Sequence, residues 1–185
     1  ETQLKARANG LQNDAVIAFV QAGGIRSSIA KAADGAITYH DVLSVVPFNN
    51  TLYVITVNGS VIRAALERSA ENYDRNKRNG GFLQVAGLKV VFKMSNPLGN
   101  RIVELLTRCS ECDKNQLRPI ENNKSYKIIL SEFLLNGGDG HKWTDSSNRS
   151  LMADELDMTD LGAAIKYIRD KSPIEHRNNS RIILI

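Results

Sequence analysis

The 185-residue sequence contains no apolar run approaching the ~18 residues that a membrane-crossing helix needs, so none is expected within it. Histidine is scarce. His40, His141 and His176 stand apart, with no zinc-finger spacing and no further cysteines to complete a set of about four ligands around the one "CSEC" pair. No metal site is therefore expected in this chain. Aromatic residues make up 6%, and none is interleaved with the basic cluster Arg75, Lys77 and Arg78. That cluster reads as part of a solvated Asn/Gly-rich loop, and a nucleic-acid surface is not expected. Internal repeats, low-complexity tracts and a clear domain boundary are all lacking.

What remains is ordinary globular composition, with 42% hydrophobic and 24% charged residues and a net charge of +4. The length suits one domain with its own core, spanning 1–185. Cys109 and Cys112 admit three readings: half a zinc site, a redox pair or a tight-loop disulfide. The pair follows an apolar strand-like run and leads into a loop, which favours a local disulfide and an oxidising compartment. Five Asn-x-Ser/Thr sequons, at Asn49, Asn58, Asn123, Asn148 and Asn178, are candidate glycosylation sites consistent with that compartment.

Periodicity predicts a helix remnant over 3–13 and a buried strand over 15–20. A short helix over 38–46 should be capped by Thr38 with Asp41 three residues on. The alternating run 51–59 predicts a strand ending in an Asn-Gly turn. The clearest amphipathic helix spans 60–75, with Ser60 as its cap. Strands follow in 80–95, broken near Gly87, and in 101–109. The stretch 113–126 reads as a loop, and 125–143 as a strand passing into a glycine-rich loop. A second helix spans 155–172, capped by Thr159 or Asp157, and "SRIILI" closes the chain as a strand. Strands in runs with helices inserted singly predict an α+β fold with a mixed or antiparallel sheet and helices packed on it.

Three glycine-marked stretches carry the candidate chemistry: "QAGGIR", "VVPFNNT" and "EFLLNGGDGHKW". Two aromatic rings can sandwich a base, a carboxylate can hold both ribose hydroxyls, and an arginine fork can meet a phosphate or ribose oxygen. Glycines let the backbone approach such a ligand. In this order the stretches resemble the C-terminal domain of the 5'-nucleotidase/apyrase family, whose patterns run close to "NGGGIR", "LPFGN/T" and "FLxNGGDGF". The intervening Cys pair resembles that of its secreted animal members, some of them salivary. The likeness covers about residues 15 to 185.

The resemblance implies that Phe48 and Phe133 clamp a purine nucleoside or nucleotide. It implies that Arg26 reaches ribose or phosphate, that Asp139 holds the ribose hydroxyls, and that Gln21, Gly24, Asn136 and Gly138 complete the nucleoside-binding set. Gln21 stands where the family usually carries a base-contacting Asn, one methylene shorter. Asn49 and Asn50 replace glycines, and a glycan on Asn49 would crowd the pocket. Family enzymes use two divalent metal ions held in a separate N-terminal domain, so no cofactor and no catalytic residue is expected in this chain. The family's usual "GNLxxDA" opening helix is also missing, and the chain reads as a piece of a longer secreted protein. The expected role is a non-catalytic, host-facing interaction, with a host protein as partner and an inherited nucleoside pocket. The alternative is the purine-recognition half of an active enzyme.

Overall fold

A computed structural model describes residues 7–8, 11–12, 15, 17–30, 32–108, 116–144, 153–175 and 180–185. The chain opens with two short antiparallel strands, β1 (Arg7–Ala8) and β2 (Leu11–Gln12). At these positions strands stand where a helix was expected over 3–13, and the rest of that stretch lies outside the described residues. β3 (Ile17–Gln21) is followed by a 3-10 turn at Ala22–Gly24 and by α1 (Tyr39–Val45). Then come β4 (Thr51–Asn58), α2 (Gly59–Glu71), β5 (Leu83–Ala86), β6 (Leu88–Phe92), β7 (Ile102–Arg108) and β8 (Leu117–Pro119). The chain ends with β9 (Ser125–Ser131), α3 (Glu132–Leu135), β10 (Ala153–Thr159), α4 (Asp160–Lys171) and β11 (Ile182–Leu184).

The strands form a five-stranded mixed sheet in the order β10-β4-β9-β3-β5 and a four-stranded sheet in the order β11-β6-β7-β8. Gly87, with φ 73°, breaks the run between β5 and β6 and lets it pass from one sheet to the other. The α+β class expected from the element pattern is the one found.

Side-chain alternation divides the larger sheet into two faces. Ile17 and Phe19 of β3, Ile55 and Val57 of β4, and Ile128 and Leu130 of β9 join one core. That core also takes Ile62, Ala65 and Leu66 of α2 and residues of β5, β6 and β7. The opposite face, Leu52, Val54 and Ile129, packs with Leu156 of β10 and Ala163 of α4.

Three boundaries differ from the sequence expectation. α2 begins at Gly59, directly after β4, and Ser60 lies inside its first turn instead of capping it. Carbonyls of the 121–124 turn do the capping, accepting the N–H groups of Gly59 and Ser60, each at 3.0 Å. Only glycine fits at 59, because a β-carbon there would overlap the Glu121 carbonyl oxygen and lie 2.7 Å from Ile120 Cγ2. α2 ends at Glu71, before the Asp/Asn-rich turn that extends the sequence pattern. Residues 153–159 are a strand, so 155–159 are not the helix start expected, because pairing with β4 outweighs their weak helical pattern. Thr159 does cap α4, its hydroxyl accepting the Gly162 N–H at 3.1 Å. Likewise Thr38 and Asp41 form a reciprocal capping box on α1. β8 lies in the stretch expected to be loop, as a short edge strand on β7.

Candidate nucleoside site

The strand directions gather the candidate loops. β3 and β9 are parallel neighbours, so the turns that follow them leave from one end of the sheet. β4 is antiparallel to β9 with Leu52 opposite Ser131, which brings the loop before β4, carrying Phe48, to the same end. β5 is antiparallel to β3 with Gln21 opposite Leu83, which brings the turn 79–82 there as well. Four connections thus meet at one rim.

The first turn is locked through its backbone. The N–H groups of Ala22 and Gly23 donate to Phe82 O and Gly80 O at 2.8 and 2.7 Å. Gly23 and Gly80 pack backbone on backbone, and a β-carbon on Gly23 would sit 3.2 Å from Gly80 Cα. The buried Gln21 turns its amide against Gly24, where a β-carbon would stand 3.2 Å from Nε2. The extra methylene relative to Asn thus goes into packing this turn.

Arg26 is exposed, and its main-chain N–H is held by Val45 O at 2.9 Å. One guanidinium nitrogen donates to Gly23 O at 3.0 Å, and the guanidinium carbon lies 5.8 Å from the centre of the Phe48 ring. That contact orients both groups at the rim. Phe48 is 57% exposed and Phe133 41% exposed. For rings on an otherwise well-packed domain, these are surfaces open to a flat ligand.

Phe133 projects from the single turn of α3, which Ser131 caps by accepting the Leu134 N–H. The ring lies on the backbone of Gly138, where a β-carbon would come within 2.5 Å of both Cδ1 and Cζ. Asn136 closes α3, its N–H bonding Glu132 O at 3.0 Å. Gly137 and Gly140 take left-handed angles, and so does Asp139 at φ 55°. Asp139 is exposed, and its backbone angles set the direction in which its Cα–Cβ bond leaves the turn. It packs on Gly81, where a β-carbon would lie 3.1 Å from Asp139 Cβ.

Sequence reasoning missed the turn "NGGF" at 79–82, which joins the first and third loops. Gly80 meets Gly23 and Gly81 meets Asp139, while Asn79 Oδ1 accepts the Gly81 N–H at 3.1 Å. Its two glycines were the available signal, masked by the basic residues before them. His141 was missed too. It is 2% exposed, its Nε2 lies 3.0 Å from Gly81 O, and burial lowers its pKa below the ordinary 6.5.

Among the sequons, Asn49 and Asn123 are exposed and Asn58 is half-buried, with Asn58 Oδ1 accepting the Ser125 hydroxyl at 3.3 Å. Asn49 takes φ 52° beside Phe48. Asn148, Asn178, Cys109 and Cys112 lie outside the described residues. Among the described residues, no three His, Cys, Asp or Glu side chains are grouped to hold a metal ion. No helix among them is long and apolar enough to cross a membrane.

A family model described as 5'-nucleotidase, C-terminal domain, matches residues 2–146. Protein 5NUC of Lutzomyia longipalpis is 34% identical over 173 residues, covering 93% of this chain and 30% of that protein. A snake venom 5'-nucleotidase of Naja atra is 38% identical over 157 residues, covering 83% of this chain and 29% of the relative. The solved structure of a 5'-nucleotidase precursor from Thermus thermophilus superposes with a TM-score of 0.80 at 30% identity, covering 92% of this chain and 32% of that one. The chain spans about a third or less of the length of these relatives. The chain therefore belongs to the 5'-nucleotidase family and carries its C-terminal domain, and the family includes venom proteins.

Proposed function

We propose that this chain is a non-catalytic purine-nucleoside recognition domain of an extracellular protein. It binds base and ribose, and the chemistry of any ester cleavage belongs to a separate metal-holding domain. The observation that carries this reading is the convergence at one sheet end of two exposed rings, Phe48 and Phe133, with Arg26 and with Asp139 at its left-handed φ. Stacking on each ring contributes about 1–3 kcal/mol. The carboxylate of Asp139 can accept hydrogen bonds from both ribose hydroxyls, and the free donors of Arg26 can meet an oxygen of ribose or phosphate.

A second reading is a host-facing interaction domain in which the pocket is inherited but idle. The inward amide of Gln21 favours it, since that group is withdrawn from any base. A calorimetric titration with adenosine, AMP and ATP separates the two readings. The recognition reading predicts binding that weakens by about 5- to 150-fold in Phe48→Ala and in Phe133→Ala. Absence of binding at millimolar ligand would favour the interaction reading.

A further inference from the structure

The buried His141 is unused by the recognition chemistry above, yet it joins two of the turns that build the site. Its ring lies against Trp143, with centroids 6.1 Å apart and planes at 29°. Trp143 is itself anchored, donating from Nε1 to Leu134 O at 2.8 Å and packing on Phe19. His141 Nε2 reaches across to Gly81 O at 3.0 Å. Gly81 is the residue on which Asp139 packs, and the His141 N–H closes the 137–140 turn by donating to Gly138 O at 3.2 Å. One side chain thus ties the 79–82 turn to the 137–140 turn directly behind Asp139.

The protonation state follows from the partners. Gly81 O can only accept, so Nε2 carries a proton and the neutral ring is the Nε2–H tautomer. Nδ1 is buried without a hydrogen-bond partner. A proton added there would place a charged donor in the interior with nothing to receive it.

We propose that His141, in its neutral form, is a positioning residue that latches the two glycine turns together and so holds Asp139 in place for a ribose, and that protonation at Nδ1 releases the latch. The proposal rests on the nucleoside-recognition reading. The charged groups that bear on the ring are Asp139 on its own turn, which favours the imidazolium, and Arg68 on α2, which opposes it. Burial acts with Arg68 and outweighs both Asp139 and the Gly81 hydrogen bond, which the imidazolium would strengthen, so the ring's pKa lies below its ordinary 6.5 and a charged ring is driven towards solvent. The sign follows. The latch is closed above about pH 6.5 and opens as pH falls through the lower value of the folded protein.

The test uses two readouts on the wild-type chain, His141→Gln and His141→Phe. The first is amide-exchange protection of residues 79–82 and 137–140 between pH 7.5 and 4.5, without ligand. The second is adenosine affinity over the same range. Wild type is expected to lose protection at these turns and to lose affinity on acidification, with a limiting slope of about tenfold per pH unit. His141→Gln can still donate to Gly81 O but does not titrate, so it should keep protection and flatten both profiles. His141→Phe, an uncharged ring of similar size, should show reduced protection that does not vary with pH. Wild-type protection factors that stay constant with pH, or a Gln variant that retains the wild-type slope, would overturn the latch. If protection switches as expected but adenosine binds at no pH, the recognition reading falls and the latch between the turns stands.

Discussion

Gly138→Ala separates binding from folding with a single methyl group. Gly138 does not adopt a left-handed φ, so alanine is compatible with its backbone. The obstacle is the Phe133 ring, with Cδ1 and Cζ each 2.5 Å from the position of the new β-carbon. Carbon–carbon contact settles at about 3.5–4.0 Å, so the ring must retreat by about 1 Å or change rotamer. Phe133 is already partly in solvent, and its displacement costs about 0.5–1.5 kcal/mol. In a chain of this size that lowers Tm by only a few degrees. Binding suffers more, because a displaced ring forfeits one stacking face worth about 1–3 kcal/mol, or roughly 5- to 150-fold in Kd. Adenosine titration of Gly138→Ala, Phe133→Ala and the double variant forms a thermodynamic cycle. Once the ring is gone the methyl has nothing to displace, so the double variant should bind like Phe133→Ala alone. Wild-type affinity in Gly138→Ala, or an undiminished effect of the methyl in the Phe133→Ala background, would refute the reasoning.

Gly59→Ala should behave in the opposite way. Its β-carbon would meet the Glu121 carbonyl, a main-chain atom that cannot swing aside, and a stability loss of about 3 kcal/mol is expected in urea unfolding. Adenosine affinity should be unchanged in the folded fraction, because the junction lies at the far end of β4 from the site. Thr38→Ala removes one half of the α1 capping box, with an expected loss of about 1 kcal/mol at neutral pH. Hydrogen bonds from the Thr38 side chain and backbone hold the Asp41 carboxyl below its ordinary 3.8. A carboxylate lowered in the folded state contributes stability that is present above that value and lost as pH falls through the folded one. The acid limb of the wild-type stability profile should therefore be steeper than that of Thr38→Ala, which urea midpoints measured from pH 5 to pH 2 would show.

Local chemistry made part of this molecule legible. The Thr38 and Asp41 capping box, the alternation of 51–58, the break at Gly87 and the Thr159 cap are written in near neighbours, and each was found where its residues imply. Two of the errors share a cause in long-range pairing. "ELDMT" reads as the acidic start of a helix, and only the neighbouring β4 makes it part of a strand. Ser60 looks like a cap until the 121–124 turn arrives to supply carbonyls to the helix start. Phe48, Arg26, Phe133 and Asp139, which the sequence singled out, come to one end of the sheet, whereas the turn at 79–82 that meets them there was not foreseen. It contributes backbone, and its glycines next to Arg75, Lys77 and Arg78 resemble any solvated loop. His141 was equally hidden, because its partner is a carbonyl sixty residues away in sequence.

The seam between Gly23 and Gly80 is made of main chain alone. Its shape is therefore indifferent to most of the drift that alters side chains. Substitutions at Phe48, Arg26 or Asp139 could erase ligand affinity, yet the frame that displays those positions would persist as long as the glycines do. A lineage under this fold can abandon one ligand and still hand its descendants a rigid, solvent-facing platform on which new surface residues are presented in fixed relation to one another.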